Sequence, residues 1–313
     1  MTIYLSCVIL NIKEYRLFFT HNNIQNAIGV FTYMKNLGYY NGRYDLIENM
    51  TVPMNDRACF FGDGIYEAVY TRNHKIYALD EHLDRFYDSA EVLGIVIPHT
   101  REELTSIIED LVLKVDDDEL LVYFQVSRGT EMRNHAPSKD LVGNIWITIK
   151  PAKLRDCYTP MKLITFPDTR YLHCNMKTLN LLPSVLASKA AAEAEADEAV
   201  FHRGEIVTEC AHSNISIIKN RRLITAPADN MILAGVARAH LLRTCKKLGI
   251  EYEEKHYTLA ELMDADEIIV TASGTLCRPV SEIDGKKVGL KAESLVSALR
   301  ESIISDFMRA TDI

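Results

Sequence analysis

The stretch His173–Val185 (HCNMKTLNLLPSV) places Lys177 as the one charged residue between Arg170 and Lys189, with His173 counted neutral. A lysine among apolar neighbours either snorkels its ammonium out to water or stays partly desolvated. Desolvation lowers the pKa of an amine and makes it nucleophilic, as Schiff-base chemistry requires. On spacing alone the snorkelling lysine is the simpler reading. Pro183 suits the first turn of the Ala-rich helix that follows, which is expected to end near Asp197.

Upstream of this stretch, Ile65–Thr71 (IYEAVYT) alternates and is rich in β-formers, so it reads as a strand. Asp80 can cap a helix in which Leu83, Phe86, Tyr87, Ala90 and Leu93 recur at helical spacing up to Gly94. A second amphipathic helix runs from about Arg101 to about Lys114. Leu120–Ser127 and Asn144–Ile149 read as strands. Downstream, Lys162–Phe166, Ala199–His202, Ile215–Ile218, Leu223–Thr225 and Glu267–Thr271 read as short strands. A helix over Val236–Leu248 stops at Gly249. The class is α+β. The proline-containing stretch near Lys150–Pro160 divides a small α/β domain, 34–152, from a larger one, 153–313. Residues 1–33 lack a clear period and are expected to be a dispensable extension, translated from a start codon set too early.

The chain has 313 residues, with 48% hydrophobic, 25% charged and a formal net charge of −8. That is ordinary for a globular protein of two domains. The basic residues are scattered, which argues against a nucleic-acid partner or an anionic membrane surface. No stretch reaches the ~18 apolar residues of a membrane helix. Ile3–Leu10 is apolar but lacks the basic flank of a secretory signal. The seven cysteines form no CxxC pair, so neither disulfides nor a metal site are expected, and a reducing cytoplasm fits.

Other residues carry chemistry only in combination. Glu209 ends an alternating run (EIVTE), where it is either a solvated strand end or a buried carboxylate free to pair with a ring N–H. Gly235 opens the helix at Val236, whose first amides attract phosphate. TASGT (271–275) follows an apolar strand and offers further amides and hydroxyls. Arg128, Arg133 and His135 crowd one loop, either as a charged solvated surface or as a trap for a carboxylate. His82 and Arg85 would by themselves be an exposed helix face.

Taken in order, FGDGIYE (61–67), EHLDRFYDSA (81–90), VYFQVSRGT (122–130), MKTLNLLPSVLA (176–187), IVTE (206–209) with Ser213–Asn214, and NMILAGVAR (230–238) resemble the fold-type IV aminotransferase family. The likeness runs from about Leu37 to about Ser305 and is greatest to its D-amino acid aminotransferase branch. It implies a two-domain, pyridoxal 5'-phosphate-dependent enzyme with the cofactor in the larger domain and its active site at the domain and dimer interface. Lys177 looks like the lysine that joins the cofactor and shuttles the proton. Glu209 looks like the partner of the pyridine nitrogen. Arg85, the amides of Val236 and Ala237, and Ser273 would hold the phosphate, and Leu233 would lie against the ring. Tyr66, Arg133 and His135 resemble the trio that binds the substrate α-carboxylate, the latter two reaching from the partner of a homodimer. Tyr123 would line the substrate pocket. The implied substrates are D-amino acids and 2-oxo acids, and the implied setting is the cytoplasm.

Three departures mark this chain. Cys210, Ala211 and His212 follow Glu209 where small hydroxyl residues are usual. Ala237 stands for a threonine, and Ala272 for a serine. The competing readings are a branched-chain L-amino acid aminotransferase, an aminodeoxychorismate-type lyase, and a cofactor-binding protein without turnover.

Overall fold

The structure, a computed structural model, describes residues 33–312, so the expectation for residues 1–33 falls, apart from Tyr33, outside the described residues. Strands β1 (Leu37–Tyr40), β2 (Arg43–Asp45), β3 (Gly64–Arg72), β4 (Lys75–Ile76), β5 (Leu120–Ser127) and β6 (Asn144–Pro151) form one sheet, ordered β2-β1-β6-β5-β3-β4. Its neighbouring strands all run antiparallel. Three helices accompany it: α1 (Arg57–Phe61), α2 (Leu79–Leu93) and α3 (Arg101–Val112). Period-two alternation turns Ile65 and Val69 of β3, Val122 and Phe124 of β5, and Ile145 and Ile147 of β6 inward, with Leu83, Phe86, Leu104 and Ile108 of the helices in the same core. Burying each such side chain contributes about 1.5–3 kcal/mol. The opposite face carries Tyr66, Tyr123 and Trp146, which are only half-buried.

The second sheet is built from β7 (Met161–Pro167), β8 (Glu198–Arg203), β9 (Ile206–Cys210), β10 (Asn214–Lys219), β11 (Arg222–Thr225), β12 (Tyr252–Glu254), β13 (Glu267–Thr271), β14 (Arg278–Ile283) and β15 (Lys286–Lys287). Its order is β12-β11-β10-β13-β14-β7-β8-β9, with β15 on β14. The helices of this half are α4 (Leu182–Glu193), α5 (Val236–Leu248), α6 (Leu259–Met263) and α7 (Glu293–Ala310). β13 is buried at all five positions because both faces are covered. On one face Ile269 packs with Leu241 of α5 and Leu299 and Ile303 of α7. On the other, Ile268 and Val270 join Ile215, Val280 and Leu262.

Some boundaries differ from expectation. Ala78, not Asp80, is the N-cap residue of α2, and Asp80 sits in its first turn, where its charge still favours the helix dipole. α4 ends at Glu193 because Glu195 turns left-handed (φ 53°) and the Asp197 amide is taken by the Lys162 carbonyl at 2.8 Å. α5 stops at Gly249, whose φ of 67° favours a residue without Cβ.

The first sheet meets the second half of the chain along a short backbone seam. Tyr66 N–H donates to the Lys177 carbonyl and Leu179 N–H to the Gly64 carbonyl, both at 3.0 Å. Ile65 and Thr178 form an antiparallel bridge between them. The segment after Lys177 thus continues the edge of β3 before entering α4.

Candidate active site

A cavity of about 450 Å³ opens beside this seam. Its walls include Lys177, Tyr66, Arg85, Glu209, Leu233 and Ser273, together with Val236 and Ala237 at the start of α5. Eight of the expected site residues therefore share one space, although they are spread over more than half of the chain. The Lys177 ammonium lies 4.2 Å from the centre of the Tyr66 ring, so it points into the cavity instead of snorkelling away.

Glu209 is not a solvated strand end. It is buried on β9, and both of its oxygens are occupied. The Leu233 amide donates to each at 3.2 Å, the Asn214 amide donates to one at 2.9 Å, and the Arg170 guanidinium bonds the other. Burial pushes the carboxyl up to about 7, against the charge and hydrogen bond of Arg170. A buried carboxylate balanced in this way can accept one further charged donor.

Arg85 projects from α2 towards the start of α5. Its Nε and Nη2 grip both oxygens of Glu67 at 2.7 and 2.8 Å, and its Nη1 donates to the Ala234 carbonyl at 2.9 Å. Three of the five guanidinium N–H groups are thereby used and two are left. Glu67 lies on the core face of β3, next to Tyr66 on the cavity face, as a two-residue period requires. Burial opposes ionisation of Glu67, but the Arg85 charge and the His82 hydrogen bond overcome it and hold the carboxyl at about 2. His82 is buried and bonds Glu67 at 2.6 Å, while burial lowers its own pKa. Its Nδ1–H therefore donates to Glu67, and its Nε2 faces the Ser273 hydroxyl at 3.4 Å. His82 and Arg85 are therefore not an exposed helix face, the reading each would have in isolation: at i and i+3 both point inward.

The turn before α5 is packed tightly. A Cβ on Gly235 would lie 2.0 Å from Asn214 Oδ1, and the Asn214 amide holds the Leu233 carbonyl at 2.9 Å. Val236 and Ala237 are the first residues of α5, so their amides lack intrahelical acceptors. In the same wall the buried Thr271 hydroxyl has no hydrogen-bond partner among the described residues. Two guanidinium N–H groups, the first amides of a helix and an unused hydroxyl suit a polyanionic group such as a phosphate.

The remaining expected residues lie apart. Arg128 is no part of a trap, because its Nε bonds Asp63 at 2.9 Å and its Nη1 the Gly94 carbonyl at 2.9 Å. Arg133 and His135 sit against Phe61, at 5.1 and 5.2 Å from its ring, and are not among the residues lining the cavity of their own chain. Arg57 anchors that loop through the carbonyls of Asn134 and His135. Tyr123 stands behind the cavity wall: its ring stacks on Tyr66 at 5.4 Å, and its hydroxyl donates to Gln125 at 2.6 Å. Arg170, Glu67, His82 and Asn214 were not singled out from the sequence as the partners that orient this site. A charged residue at the edge of an apolar run, as Arg170 is, was the available signal.

The family model for amino-transferase class IV matches residues 64–283, and the chain belongs to that family. A D-alanine aminotransferase of Listeria monocytogenes is 39% identical to it over 269 residues, covering 84% of this chain and 93% of the relative. One from Bacillus licheniformis is 34% identical over 274 residues, covering 85% and 97%. A solved branched-chain aminotransferase of the thermophilic archaeon Thermoproteus uzoniensis, with norvaline, aligns at a TM-score of 0.78 and 22% identity, over 87% of this chain and 97% of that one. That likeness shows the shared α+β, fold-type IV architecture.

Proposed function

We propose that this enzyme transaminates D-amino acids such as D-alanine with a 2-oxo acid such as 2-oxoglutarate, using pyridoxal 5'-phosphate. The observation that carries this is the placement of Lys177, Glu209 and Arg85 in one cavity, in a chain 39% identical to a D-alanine aminotransferase. Arg85, the amides of Val236 and Ala237, and Ser273 would hold the cofactor phosphate. Leu233 would rest against the ring, and Glu209 would keep the ring nitrogen protonated. When bound, the cofactor supplies a sink for the electron pair left on the α-carbon. Lys177 Nζ takes the α-proton and returns it. Tyr66 meets the substrate carboxylate.

Arg133 and His135 would complete the carboxylate site from a second subunit, because in their own chain they lie off the cavity. A homodimer fits the outward face of α4 too, where Leu182, Val185 and Leu186 are exposed at helical spacing. The division of the chain into domains 34–152 and 153–313 is supported by the two sheets, which draw their strands from 37–151 and 161–287. A cytoplasmic setting accords with free cysteines at six described positions. No helix among the described residues is long and apolar enough to cross a membrane.

The test is the visible absorbance of the cofactor-loaded enzyme with D-alanine and, in parallel, L-leucine. Bleaching by D-alanine, reversed by 2-oxoglutarate, is expected. Bleaching by L-leucine alone would transfer the assignment to the branched-chain group. Bleaching that no 2-oxo acid reverses would point to a lyase, and the absence of any visible band after loading would defeat the pyridoxal reading.

A further inference from the structure

Glu209 heads a cluster of four charges with alternating signs, followed by Arg170, Asp168 and Arg203. Asp168, whose side chain has no exposure, accepts Arg170 Nε at 3.0 Å on one oxygen and Arg170 Nη2 at 2.9 Å on the other. The Arg170 backbone amide also donates to Asp168, at 3.0 Å. The second Asp168 oxygen further accepts Arg203 Nε at 3.0 Å and the Thr208 hydroxyl at 3.1 Å. The Arg170 guanidinium lies over the Phe201 ring at 4.7 Å and donates to the Met231 carbonyl at 3.2 Å. Clamped on one edge, covered on one face and capped at Nη2, it has its Nη1 corner presented to Glu209.

We propose that Asp168 is a positioning residue that acts through Arg170: it fixes the guanidinium so that Glu209 stays ionised and correctly turned toward the ring nitrogen of the bound cofactor. Arg203 balances Asp168, so the cluster of two carboxylates and two guanidiniums is neutral, and its hydrogen bonds offset part of the cost of burying four charges. The inference rests on the reading of Glu209 as the partner of that nitrogen. An arginine is suited to the task because its planar fork can hold one carboxylate on one edge while offering another N–H to a second. The charged and titratable groups around Glu209 are Arg170, Lys177, Cys174 and Cys210, with Asp168 and Arg203 behind Arg170. Releasing Arg170 removes the one cation in contact with Glu209. Losing the Asp168 charge alone would favour ionised Glu209, but it acts from beyond the guanidinium, so the lost contact outweighs it.

The experiment is a double-mutant cycle of Asp168→Asn and Arg170→Lys in the cofactor-loaded enzyme. It reads cofactor affinity by equilibrium dialysis, the acidic limb of the kcat/KM profile, and Tm. Each single variant should weaken cofactor binding at least about tenfold and move the acidic limb to higher pH. The double variant should be no worse than Arg170→Lys, because a residue that acts only through another has nothing left to lose. Asp168→Glu should restore part of the affinity. Additive losses, or a fall in Tm with affinity and pH limb unchanged, would reduce Asp168 to a structural residue and overturn the proposal. Glu209→Gln separates the two levels. If it retains wild-type affinity and rate, the reading of Glu209 itself fails, whatever the cycle gives.

Discussion

At the scale of single residues, charge and burial oppose each other differently at two carboxylates, and each opposition has a measurable sign. Glu67 has its carboxyl lowered from 4.5 to about 2. Its contribution to stability is therefore full above about pH 4.5 and is lost as the pH falls towards 2. Thermal unfolding between pH 6 and pH 3 should show this loss, and Glu67→Gln should flatten the profile while lowering stability at pH 6. Glu209 runs the other way. Burial raises its carboxyl to about 7, so in the cofactor-free protein its ionisation erodes stability as the pH rises from 4.5 to 7. Glu209→Gln should then melt no lower than wild type at pH 8 while losing most of its activity. A wild-type turnover in that variant would remove Glu209 from the chemistry. Lys177→Ala should lower kcat by about 10²–10⁴ with little change in Tm, the range expected for removing a general base.

At the scale of elements, the legible features were those with local signals. The period of α2, the glycine stop of α5 and the β-rich run of β3 were all read from neighbours in sequence. β14 escaped because Pro279 sits inside it, and proline argues against a strand. α7 carries Leu295, Val296, Leu299, Ile303 and Phe307 at helical spacing, but Ala292 at its start makes no side-chain cap to announce it. In the site, Lys177 and Glu209 stood out by resemblance. Arg170 did not, because it meets Glu209 across 39 positions, and no sequence spacing marks such a pair. The turn before α5 yields a further test. Gly235→Ala would drive a Cβ into Asn214, displacing the side chain that ties Leu233 to Glu209. Cofactor affinity should fall about tenfold, equivalent to about 1.4 kcal/mol, with substrate KM nearly unchanged. An unaltered affinity would show that the turn relaxes freely.

At the scale of the whole molecule, the proposal that two subunits share the carboxylate site invites a mixing experiment. Lys177→Ala and the Arg133→Ala/His135→Ala double variant should each be nearly inactive as homodimers. If a site takes Arg133 and His135 from the other subunit, exchange between them creates dimers with one intact site. A one-to-one mixture should recover about a quarter of the wild-type rate, the statistical yield of a symmetric dimer. A mixture that stays inactive after verified subunit exchange would place both residues outside the site.

The backbone seam between Gly64–Tyr66 and Lys177–Leu179 bears on chirality. Lys177 and Tyr66, proposed to move the proton and to meet the carboxylate, are adjacent across paired main chains. The choice of mirror image would then rest on the geometry of this paired backbone together with the side chains that hold the carboxylate. Trimming the walls of the cavity would change which D-amino acids are turned over, and how fast.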